Sequence, residues 1–452
     1  MGNPHILVVP FPAQGHAIPL MELSQILIKH GIKITFVNTE FNHKRITNAL
    51  GKEPEGQVRL VSIPDGIGAE GNRNHLGKFT EACWKFMPGE LKQLIEKINQ
   101  TDDDEITCVL ADMTMGLGVE VAAELGIKRA ALWPAATLLL ALILNIPKLI
   151  DDGVIDENGT PLKHEMIRLS PDTLTMNPSN FMWATIEDFT TQKIILDCMQ
   201  KNNIAIEKAE WLLCNSTYNL EAGAFALVPK ALPIGPLSEL DILGNLEVNF
   251  WAEDGSCLKW LNLQPPRSVI YVAFGSFTIL NPTQFQELAL GLELSNKPFL
   301  WVVRPDIIEG KDDAYPEGFH NRVADRGRMV GWAPQRVVLS HPSIACFISH
   351  CGWNSTMEGL SNGVPFLCWP YFGDQFLNES YICDIWKVGL KFEKDESEII
   401  RGEEIKSKVE KLLSDENFKA RALELKEKTI DNIKEGGSSE QNLKSFIEWV
   451  KS

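Results

Sequence analysis

Short apolar runs and longer helical stretches alternate through the first half of the chain. Residues 5–11 (HILVVPF), 33–39 (KITFVNT) and 106–112 (ITCVLAD) are nearly continuous apolar runs of the kind found in buried parallel strands. Residues 16–31 spread apolar side chains over a wide helical face and end at Gly31, a typical helix stop. A strand, a helix and a parallel strand make a right-handed βαβ unit, so this pattern predicts a parallel sheet covered by helices.

The remaining elements of this half are less regular. We expect strands at 58–64 and 211–217, and a helix over 78–99 that is interrupted at Pro88. The longest apolar run, 130–150, contains two prolines and an asparagine, so it predicts a buried helix and not a membrane span.

The same alternation restarts in the second half. Two charged, periodic stretches, 403–437 and 438–452, predict helices at the end of the chain. Six apolar runs predict strands at 268–276, 297–303, 328–332, 344–349, 366–370 and 388–393. We therefore predict an α/β protein with two Rossmann-like, doubly wound parallel-sheet domains that face a cleft.

The predicted domain boundaries follow breaks in this pattern. We expect an N-terminal domain over 1–235 and a C-terminal domain over 253–434, with a final helical segment at 435–452. The stretch 229–249 carries three prolines and has little periodicity, so we predict a linker over 236–252.

Composition excludes several classes of function. The chain has 452 residues, of which 44% are hydrophobic and 23% charged, as is typical of a globular protein. Its net charge of −17 argues against nucleic acid and anionic membrane surfaces as partners. The nine cysteines form no C-x-x-C pair, and the N-terminus lacks the features of a secretory signal. We expect a cytoplasmic monomer with reduced thiols and no membrane span.

Polar side chains collect between residues 332 and 375 at the points where predicted strands end and helices begin. Ligands of open α/β sheets bind at such positions. A helix N-terminus binds phosphate because its N–H groups are unpaired and carry partial positive charge. The approach to one such predicted helix is lined by His350, Gly352, Asn354 and Ser355.

Further residues of this stretch complete a seat for a nucleotide sugar. Glu358 follows on the same helical face, so its carboxylate can accept two neighbouring ribose hydroxyls. Trp332 offers a flat face for a base, and Gln335 offers an amide within one turn. Asp374 and Gln375 supply acceptors and donors for a sugar.

The order and spacing of these residues resemble one known family. WAPQ, HCGWNS, the glutamate that follows, GVP and the closing DQ match the signature box of plant family 1 UDP-dependent glycosyltransferases over 44 residues. The resemblance implies a GT-B architecture in which the first domain binds the acceptor, the second binds the UDP-sugar, and the last helix returns to the first domain. It also implies an enzyme that transfers a sugar from a UDP-sugar donor to a small-molecule acceptor.

The resemblance assigns a role to each residue of the donor seat. Trp332 and Ala333 are implied to contact uracil, Gln335 and Glu358 the ribose, His350, Asn354, Ser355 and Ser276 the diphosphate, and Trp353, Asp374 and Gln375 the hexose. A glutamine at the last position resembles the glucose-using members, so we expect UDP-glucose as co-substrate.

A histidine and an aspartate are the candidate catalytic residues. His16 follows a predicted strand at the first turn of a helix, and the positive helix end should keep its ring neutral near pH 7. Asp112 ends another strand of the same predicted sheet and can orient that ring. A lone histidine at a turn is also compatible with a surface cap. The QGH sequence resembles the catalytic loop of the family, which implies that His16 is the base and Asp112 its orienting acid in an inverting transfer.

Three other motifs suggest rival chemistries. GIGAEG (66–71) and GLGVEV (116–121) resemble dinucleotide-binding loops, but the first is followed by polar residues and the second lacks the third glycine. TDDDEI (101–106) contains an Asp-x-Asp but precedes its strand, so we interpret it as a solvated charge run and expect no metal. An NAD-dependent oxidoreductase and a non-catalytic binder of UDP-sugars or phenolics are the alternative functions. Transfer to nitrogen, sulfur or carbon is the alternative within the same site.

The sequence does not identify the acceptor. The family glucosylates plant small molecules such as phenolics, flavonoids and terpenoids. Large apolar residues of the first half either line an acceptor pocket or belong to the core, and these are Trp84, Phe86, Trp133, Phe181, Trp183, Phe189 and Met199.

Overall fold

The structure is a computed structural model that describes residues 3–50, 58–68, 71–73, 75–101, 105–186, 188–240, 253–305, 307 and 315–452. The chain divides into two compact units. The first comprises Met1–Trp251, Phe372–Asp374 and Ile430–Ser452, and the second comprises Ala252–Tyr371 and Gln375–Thr429. Of the predicted linker, residues 236–240 are described and 241–252 lie outside the described residues.

The described part of the first unit contains a seven-stranded parallel sheet. Its strands are β1 (His5–Val9), β2 (Lys33–Thr39), β3 (Val58–Ile63), β4 (Cys108–Asp112), β5 (Lys128–Trp133), β6 (Trp211–Cys214) and β7 (Ala231–Pro233). The order across the sheet is β3-β2-β1-β4-β5-β6-β7. The reversal of strand order between β1 and β4 creates the topological switch point at which such sheets bind ligands.

Helices cover this sheet. They are α1 (Gln14–Lys29), α2 (Glu40–Leu50), α3 (Leu76–Thr101), α4 (Gly116–Glu124), α5 (Thr137–Leu144), α6 (Ile146–Asp151), α7 (Phe189–Glu207) and α8 (Tyr218–Leu227). β1 is buried along its whole length, as its continuous apolar run predicts.

Two sequence-based expectations for this unit are wrong. α3 runs through Pro88 without a break. The proline removes one backbone hydrogen bond, but α3 buries an apolar face that includes Met87 and Leu91 next to it, which compensates for that loss. The apolar run 130–150 is not a single helix, because its first residues pair with β4 and β6 as part of β5.

The described part of the second unit contains a six-stranded parallel sheet. Its strands are β8 (Val269–Ala273), β9 (Phe299–Val302), β10 (Gly327–Val330), β11 (Ile344–Ser349), β12 (Phe366–Cys368) and β13 (Gly389–Lys391), in the order β10-β9-β8-β11-β12-β13. The helices of this unit are α9 (Ser256–Leu261), α10 (Pro282–Leu294), α11 (Phe319–Arg322), α12 (Gln335–Ser340), α13 (Trp353–Ser361), α14 (Gln375–Ser380), α15 (Gly402–Ser414) and α16 (Glu416–Asp431). All six predicted strands are present.

The last helix, α17 (Ser438–Lys451), packs on the first unit. Phe446 is fully buried in the core formed by β1, β2 and α1, and its ring lies 5.6 Å from that of Trp211 on β6. Lys128 of β5 donates a hydrogen bond to the carbonyl of Trp449 at 2.9 Å. The chain therefore has the α/β, doubly wound architecture with a returning C-terminal helix that the sequence predicts.

Among the residues that the structure describes, none of the helices has the length and apolar character needed to cross a bilayer.

Candidate active site

The first candidate group consists of a histidine that follows one strand and an aspartate that ends the adjacent strand. β1 and β4 pair in parallel with Val9 opposite Ala111, so both strands end at the same edge of the sheet. His16 lies in the first turn of α1, and its Nδ1 is 2.7 Å from Oδ2 of Asp112. The structure therefore brings the two predicted catalytic residues into direct contact.

Asp112 is held in place by a second set of donors. Its Oδ1 accepts hydrogen bonds from the backbone N–H of Thr114 at 2.8 Å and from the Thr114 hydroxyl at 2.7 Å. The Asp112 side chain is fully buried, whereas that of His16 is 30% exposed. Because Nδ1 donates to Asp112, the neutral imidazole carries its lone pair on Nε2. That nitrogen can accept a proton from a substrate hydroxyl.

The pKa of His16 shifts in the direction opposite to that expected from the helix end alone. Burial lowers it, but the charge of Asp112, the hydrogen bond to that carboxylate and the charge of Asp374 together raise it above 6.5. A full negative charge at hydrogen-bond distance outweighs the partial positive charge of a helix N-terminus. Asp374, predicted as a hexose ligand, belongs to the first unit.

The aromatic residue beside His16, Phe11, and its neighbour Phe79 were not predicted as part of the site. The ring of Phe11 lies 5.2 Å from the imidazole, and the ring of Phe79 lies 6.1 Å from that of Phe11. Phe11 follows the apolar run of β1 and was expected inside that strand, but the strand ends at Val9. Its position in the short loop before α1 can be deduced only once the end of the strand is known.

Four of the seven large apolar candidates for an acceptor pocket belong to the core. Trp133, Phe181, Trp183 and Met199 are buried, and the two indole N–H groups of this set donate to backbone carbonyls. Trp84 is half-buried in α3. Phe86 and Phe189 are the exposed members, with 47% and 54% of their surface accessible.

In the second unit, three predicted ribose and phosphate ligands form one hydrogen-bonded group. The side-chain amide of Gln335, the first residue of α12, donates to Ser355 Oγ at 2.8 Å and to Glu358 Oε2 at 2.6 Å. Ser355 and Glu358 lie three residues apart on one face of α13. Tyr271 of β8, which was not predicted, donates from its hydroxyl to Gln335 Oε1 at 3.2 Å.

His350 is packed between two glycines at the end of β11. A Cβ atom added to Gly275 would lie 2.6 Å from His350 Nε2, and one added to Gly352 would lie 2.5 Å from it. Burial and the nearby charge of Arg304 lower the pKa of His350 to about 4. The ring is therefore neutral near pH 7, and it can bind an anionic donor only through hydrogen bonds.

A buried arginine holds the loop that carries the predicted phosphate ligand Ser276. Arg304 is 2% exposed and follows β9. It donates to the carbonyl of Gly275 and, at 2.7 Å, to the carbonyl of Thr278. Sequence reasoning missed this residue because an arginine at a strand end is usually exposed. The basic side chain two residues after a buried strand was its only signal.

The other donor-seat residues occupy loops and helix starts of the second unit. Trp332 is half-buried and its carbonyl accepts a hydrogen bond from the N–H of Asp254, while Ala333 is buried. Gly352 is the N-cap of α13, and Trp353 and Asn354 are its first residues. Trp353 is only 3% exposed. Gln375 begins α14 and accepts a hydrogen bond from the N–H of Tyr371 at 2.7 Å.

The rival motifs have structural explanations where they are described. Residues 66–68 and 71 lie in a loop that Arg73 holds by donating to Asp65 at 2.7 Å. Gly116 begins α4, and a Cβ there would lie 2.7 Å from Ala205 Cβ, so this glycine permits close packing of α4 on α7. Residues 102–104 of the Asp-x-Asp stretch lie outside the described residues. Among the described residues, no three His, Cys, Asp or Glu side chains are grouped so as to hold a metal ion.

Comparisons with known proteins agree with the signature box. A family model for UDP-glucoronosyl and UDP-glucosyl transferase matches residues 4–432. UDP-glycosyltransferase 83A1 from Arabidopsis thaliana is 45% identical over 464 residues, which cover 100% of this chain and 98% of the relative.

Solved structures show the same fold. A UDP-glucosyltransferase from Polygonum tinctorium capable of glucosylating indoxyl, in complex with 3,4-dichloroaniline, matches with a TM-score of 0.83 and 27% identity over 100% of this chain and 99% of that chain. Phytolacca americana UGT2, complexed with UDP-2fluoro-glucose and pterostilbene, matches with a TM-score of 0.82 and 28% identity over 99% of both chains.

The match across nearly the whole chain assigns the fold to GT-B and identifies an enzyme that transfers sugars from UDP-sugars to small molecules. An oxidoreductase and a non-catalytic binder are thereby disfavoured as functions. The chain belongs to the plant family 1 UDP-dependent glycosyltransferases.

Proposed function

We propose that this enzyme transfers glucose from UDP-glucose to a hydroxyl group of a plant small molecule, with inversion and without a metal ion. The product is a β-glucoside. The observation that carries this proposal is the contact between His16 Nδ1 and Asp112 Oδ2 at 2.7 Å. It leaves Nε2 of the neutral ring available as a general base.

In the proposed reaction, His16 Nε2 removes the proton of the acceptor hydroxyl. The resulting oxygen attacks the anomeric carbon of glucose, and the bond between that carbon and the diphosphate oxygen breaks as UDP leaves. A single in-line displacement inverts the α-linked donor to a β-product. Asp112 stabilises the imidazolium that forms, because its carboxylate is buried and already accepts the Nδ1 proton.

The charge of the leaving diphosphate is stabilised by hydrogen-bond donors of the second unit. The start of α13 presents backbone N–H groups and the positive end of the helix dipole, and Asn354 and Ser355 lie in its first turn. His350 contributes a neutral N–H donor because its pKa is about 4. Ser276 follows Gly275, whose carbonyl is bonded by Arg304. We assign to these groups the stabilisation of the diphosphate charge that a metal ion provides in other glycosyltransferases.

Two observations support glucose as the transferred sugar. The chain has glutamine at position 375, at the end of the signature box, and Asp374 precedes it. Among the structural neighbours, one was complexed with UDP-2fluoro-glucose and another is described as a UDP-glucosyltransferase. Aspartate and glutamine side chains together can accept and donate hydrogen bonds to several hydroxyls of a hexose.

The test compares wild type with His16→Ala in a panel of phenols and aliphatic alcohols supplied with UDP-glucose. Mass spectrometry should show addition of one hexose by wild type, with a rate for His16→Ala lower by about 10²- to 10⁴-fold. Binding of UDP, measured by calorimetry, should stay unchanged in the variant. Equal transfer rates for the two proteins would refute the assignment of His16 as the base.

Three further measurements separate the alternatives within the site. Proton NMR of the product distinguishes a β- from an α-linkage, and cleavage by a β-glucosidase distinguishes an O-glucoside from a C-glucoside. UDP-galactose and UDP-glucuronic acid, offered in place of UDP-glucose, test the choice of sugar. Activity should persist in EDTA, and a loss of activity that manganese restores would contradict the metal-free mechanism.

A further inference from the structure

Behind the predicted ribose seat lies a buried tyrosine. Tyr271 is 1% exposed on β8, and its ring stacks on Phe347 of β11 with centroids 5.0 Å apart. Its hydroxyl is the polar end of an otherwise apolar side chain, and it donates to Gln335 Oε1 at 3.2 Å. This contact connects a residue of the sheet core to a residue at the start of α12.

The contact bears on which way the Gln335 carboxamide points. The amide nitrogen donates to Ser355 Oγ at 2.8 Å and to Glu358 Oε2 at 2.6 Å, and the amide oxygen faces Tyr271. In the reverse orientation the amide oxygen would face the Glu358 carboxylate, which is also an acceptor. The observed orientation satisfies Glu358, but it requires a donor on the opposite side. Tyr271 supplies that donor.

The tyrosine hydroxyl keeps its proton at all physiological pH values. Burial raises the pKa of Tyr271 well above 10, and the charge of Glu358 raises it further. A phenol in this environment remains a hydrogen-bond donor.

We propose that Tyr271 is a positioning residue for recognition of the ribose, which acts by fixing the orientation of the Gln335 carboxamide. With Oε1 anchored, the amide nitrogen stays directed at Ser355 and Glu358 and keeps the Glu358 carboxylate in one place. The inference rests on the proposed function, because it takes Gln335 and Glu358 as the groups that bind the ribose hydroxyls. Tyr271 itself touches neither the nucleotide nor the reacting atoms in this scheme.

The substitution Tyr271→Phe removes the hydroxyl and keeps the ring. Since the stack on Phe347 is retained, the variant should fold. Without its anchor, the amide oxygen of Gln335 loses its donor and the carboxamide can rotate away from Glu358. Loss of one neutral hydrogen bond predicts weaker ribose recognition by about threefold to tenfold.

The experiment measures binding of UDP and of 2′,3′-dideoxy-UDP, which lacks both ribose hydroxyls, to wild type and to Tyr271→Phe. Titration calorimetry gives the ratio of the two dissociation constants, and this ratio isolates recognition of the hydroxyls from recognition of uracil and diphosphate. The control is Tyr218→Phe, which removes the hydroxyl of a tyrosine that packs on Phe225 in the first unit. We expect the preference for UDP to fall by about threefold to tenfold in Tyr271→Phe and to stay unchanged in Tyr218→Phe.

A double-variant comparison shows whether Tyr271 acts through Gln335. In a Gln335→Ala background, adding Tyr271→Phe should cause no further loss of the UDP preference, because the group it positions is gone. Equal weakening of UDP and 2′,3′-dideoxy-UDP by Tyr271→Phe, or no weakening of either, would overturn the proposal. So would a variant that is unfolded at the assay temperature, because the hydroxyl would then hold the fold and not the seat.

The outcomes also separate this inference from the proposed function. If wild type forms glucosides and prefers UDP over the dideoxy analogue, but Tyr271→Phe leaves that preference unchanged, only the role of Tyr271 is wrong. If wild type shows no preference for UDP, the assignment of the ribose to Gln335 and Glu358 fails, and the inference fails with it. If wild type forms no glucoside with any acceptor, the proposed function fails on its own measurement.

Discussion

Replacing Asp112 with asparagine tests the catalytic pair most directly, because the surroundings dictate how an asparagine would sit. The backbone N–H of Thr114 donates to Oδ1 of Asp112 at 2.8 Å and can act only as a donor. In Asp112→Asn the amide oxygen must therefore occupy the Oδ1 position. The amide NH₂ then faces Nδ1 of His16, which currently donates to Oδ2 at 2.7 Å.

This arrangement reverses the tautomer of the histidine. Two donors cannot face each other, so Nδ1 of His16 must become the acceptor and the ring proton must move to Nε2. A protonated Nε2 cannot remove a proton from the acceptor hydroxyl. The substitution also removes the largest of the effects that raise the pKa of His16, so that burial, which lowers this pKa, is opposed only by the more minor effect of the Asp374 charge.

The expected loss is close to the whole contribution of the base. General-base catalysis contributes about 10²- to 10⁴-fold, which corresponds to roughly 2.7 to 5.5 kcal/mol of activation free energy. We expect Asp112→Asn to lower kcat/KM by about 10³-fold. Asp112→Ala should lose no more than this, because without a side chain that donates to Nδ1 the ring can still populate the competent tautomer.

The assay measures glucoside formation at saturating UDP-glucose between about pH 5 and pH 9, the interval around the ordinary pKa of histidine. Calorimetry with UDP serves as the control and should give the same dissociation constant for all three proteins. A loss in Asp112→Asn of less than about tenfold, or an alanine variant that is much slower than the asparagine variant, would refute the tautomer argument.

Three further predictions concern pH, packing and the last helix. The wild-type kcat/KM should fall on acidification with an apparent pKa above 6.5, because the folded state favours charged His16. Because of the same shift, His16 contributes fully to stability below pH 6.5, and this contribution is lost as the pH rises through the folded-state pKa. A kcat/KM profile with an apparent pKa below 6.5 would contradict the shift. Gly275→Ala should weaken UDP binding about tenfold or more, because its Cβ would lie 2.6 Å from His350 and the backbone has φ of +64°. The control is Gly126→Ala, where φ is +68° and the surrounding space is open. This variant should show only the backbone cost of about 1–2 kcal/mol, measured by chemical denaturation. Equal effects of the two substitutions on UDP binding would refute the predicted clash with His350. Phe446→Ala should lower the free energy of unfolding of the first unit by about 3–5 kcal/mol, because the ring is fully buried; a change below about 1 kcal/mol would show that α17 is dispensable.

The periodicity of the sequence was sufficient for most of the fold. The strand predicted at 33–39 coincides with β2, and the one at 344–349 coincides with β11. Such runs are recognisable because burial on both faces favours apolar residues at most positions. Where prediction failed, longer-range packing decided the outcome. α3 continues through Pro88, and the run 130–150 gives its first residues to β5, because neighbouring elements supply the contacts that outweigh local preference.

Some residues of the candidate site could be predicted from the sequence, and others could be found only in the structure. The spacing from Trp332 to Gln375 predicted a UDP-sugar seat because the residues implied to contact the donor all lie within one continuous stretch of 44 residues. Tyr271 and Arg304 gave no comparable signal, because Tyr271 lies on β8 and Arg304 follows β9, and the order of the sheet brings them to the predicted seat. Their roles depend on side-chain direction, which sequence periodicity specifies only as inward or outward.

The sequence by itself determined the class of the protein: two parallel sheets and a nucleotide-sugar box, since both depend on residues close together in the chain. Only the tertiary structure decided that His16 and Asp112, 96 residues apart, share a hydrogen bond. It also decided the sign of two pKa shifts, because these depend on which charges and how much solvent surround each ring. The pKa of His16 is raised by a buried carboxylate, and the pKa of His350 is lowered by burial and a neighbouring arginine.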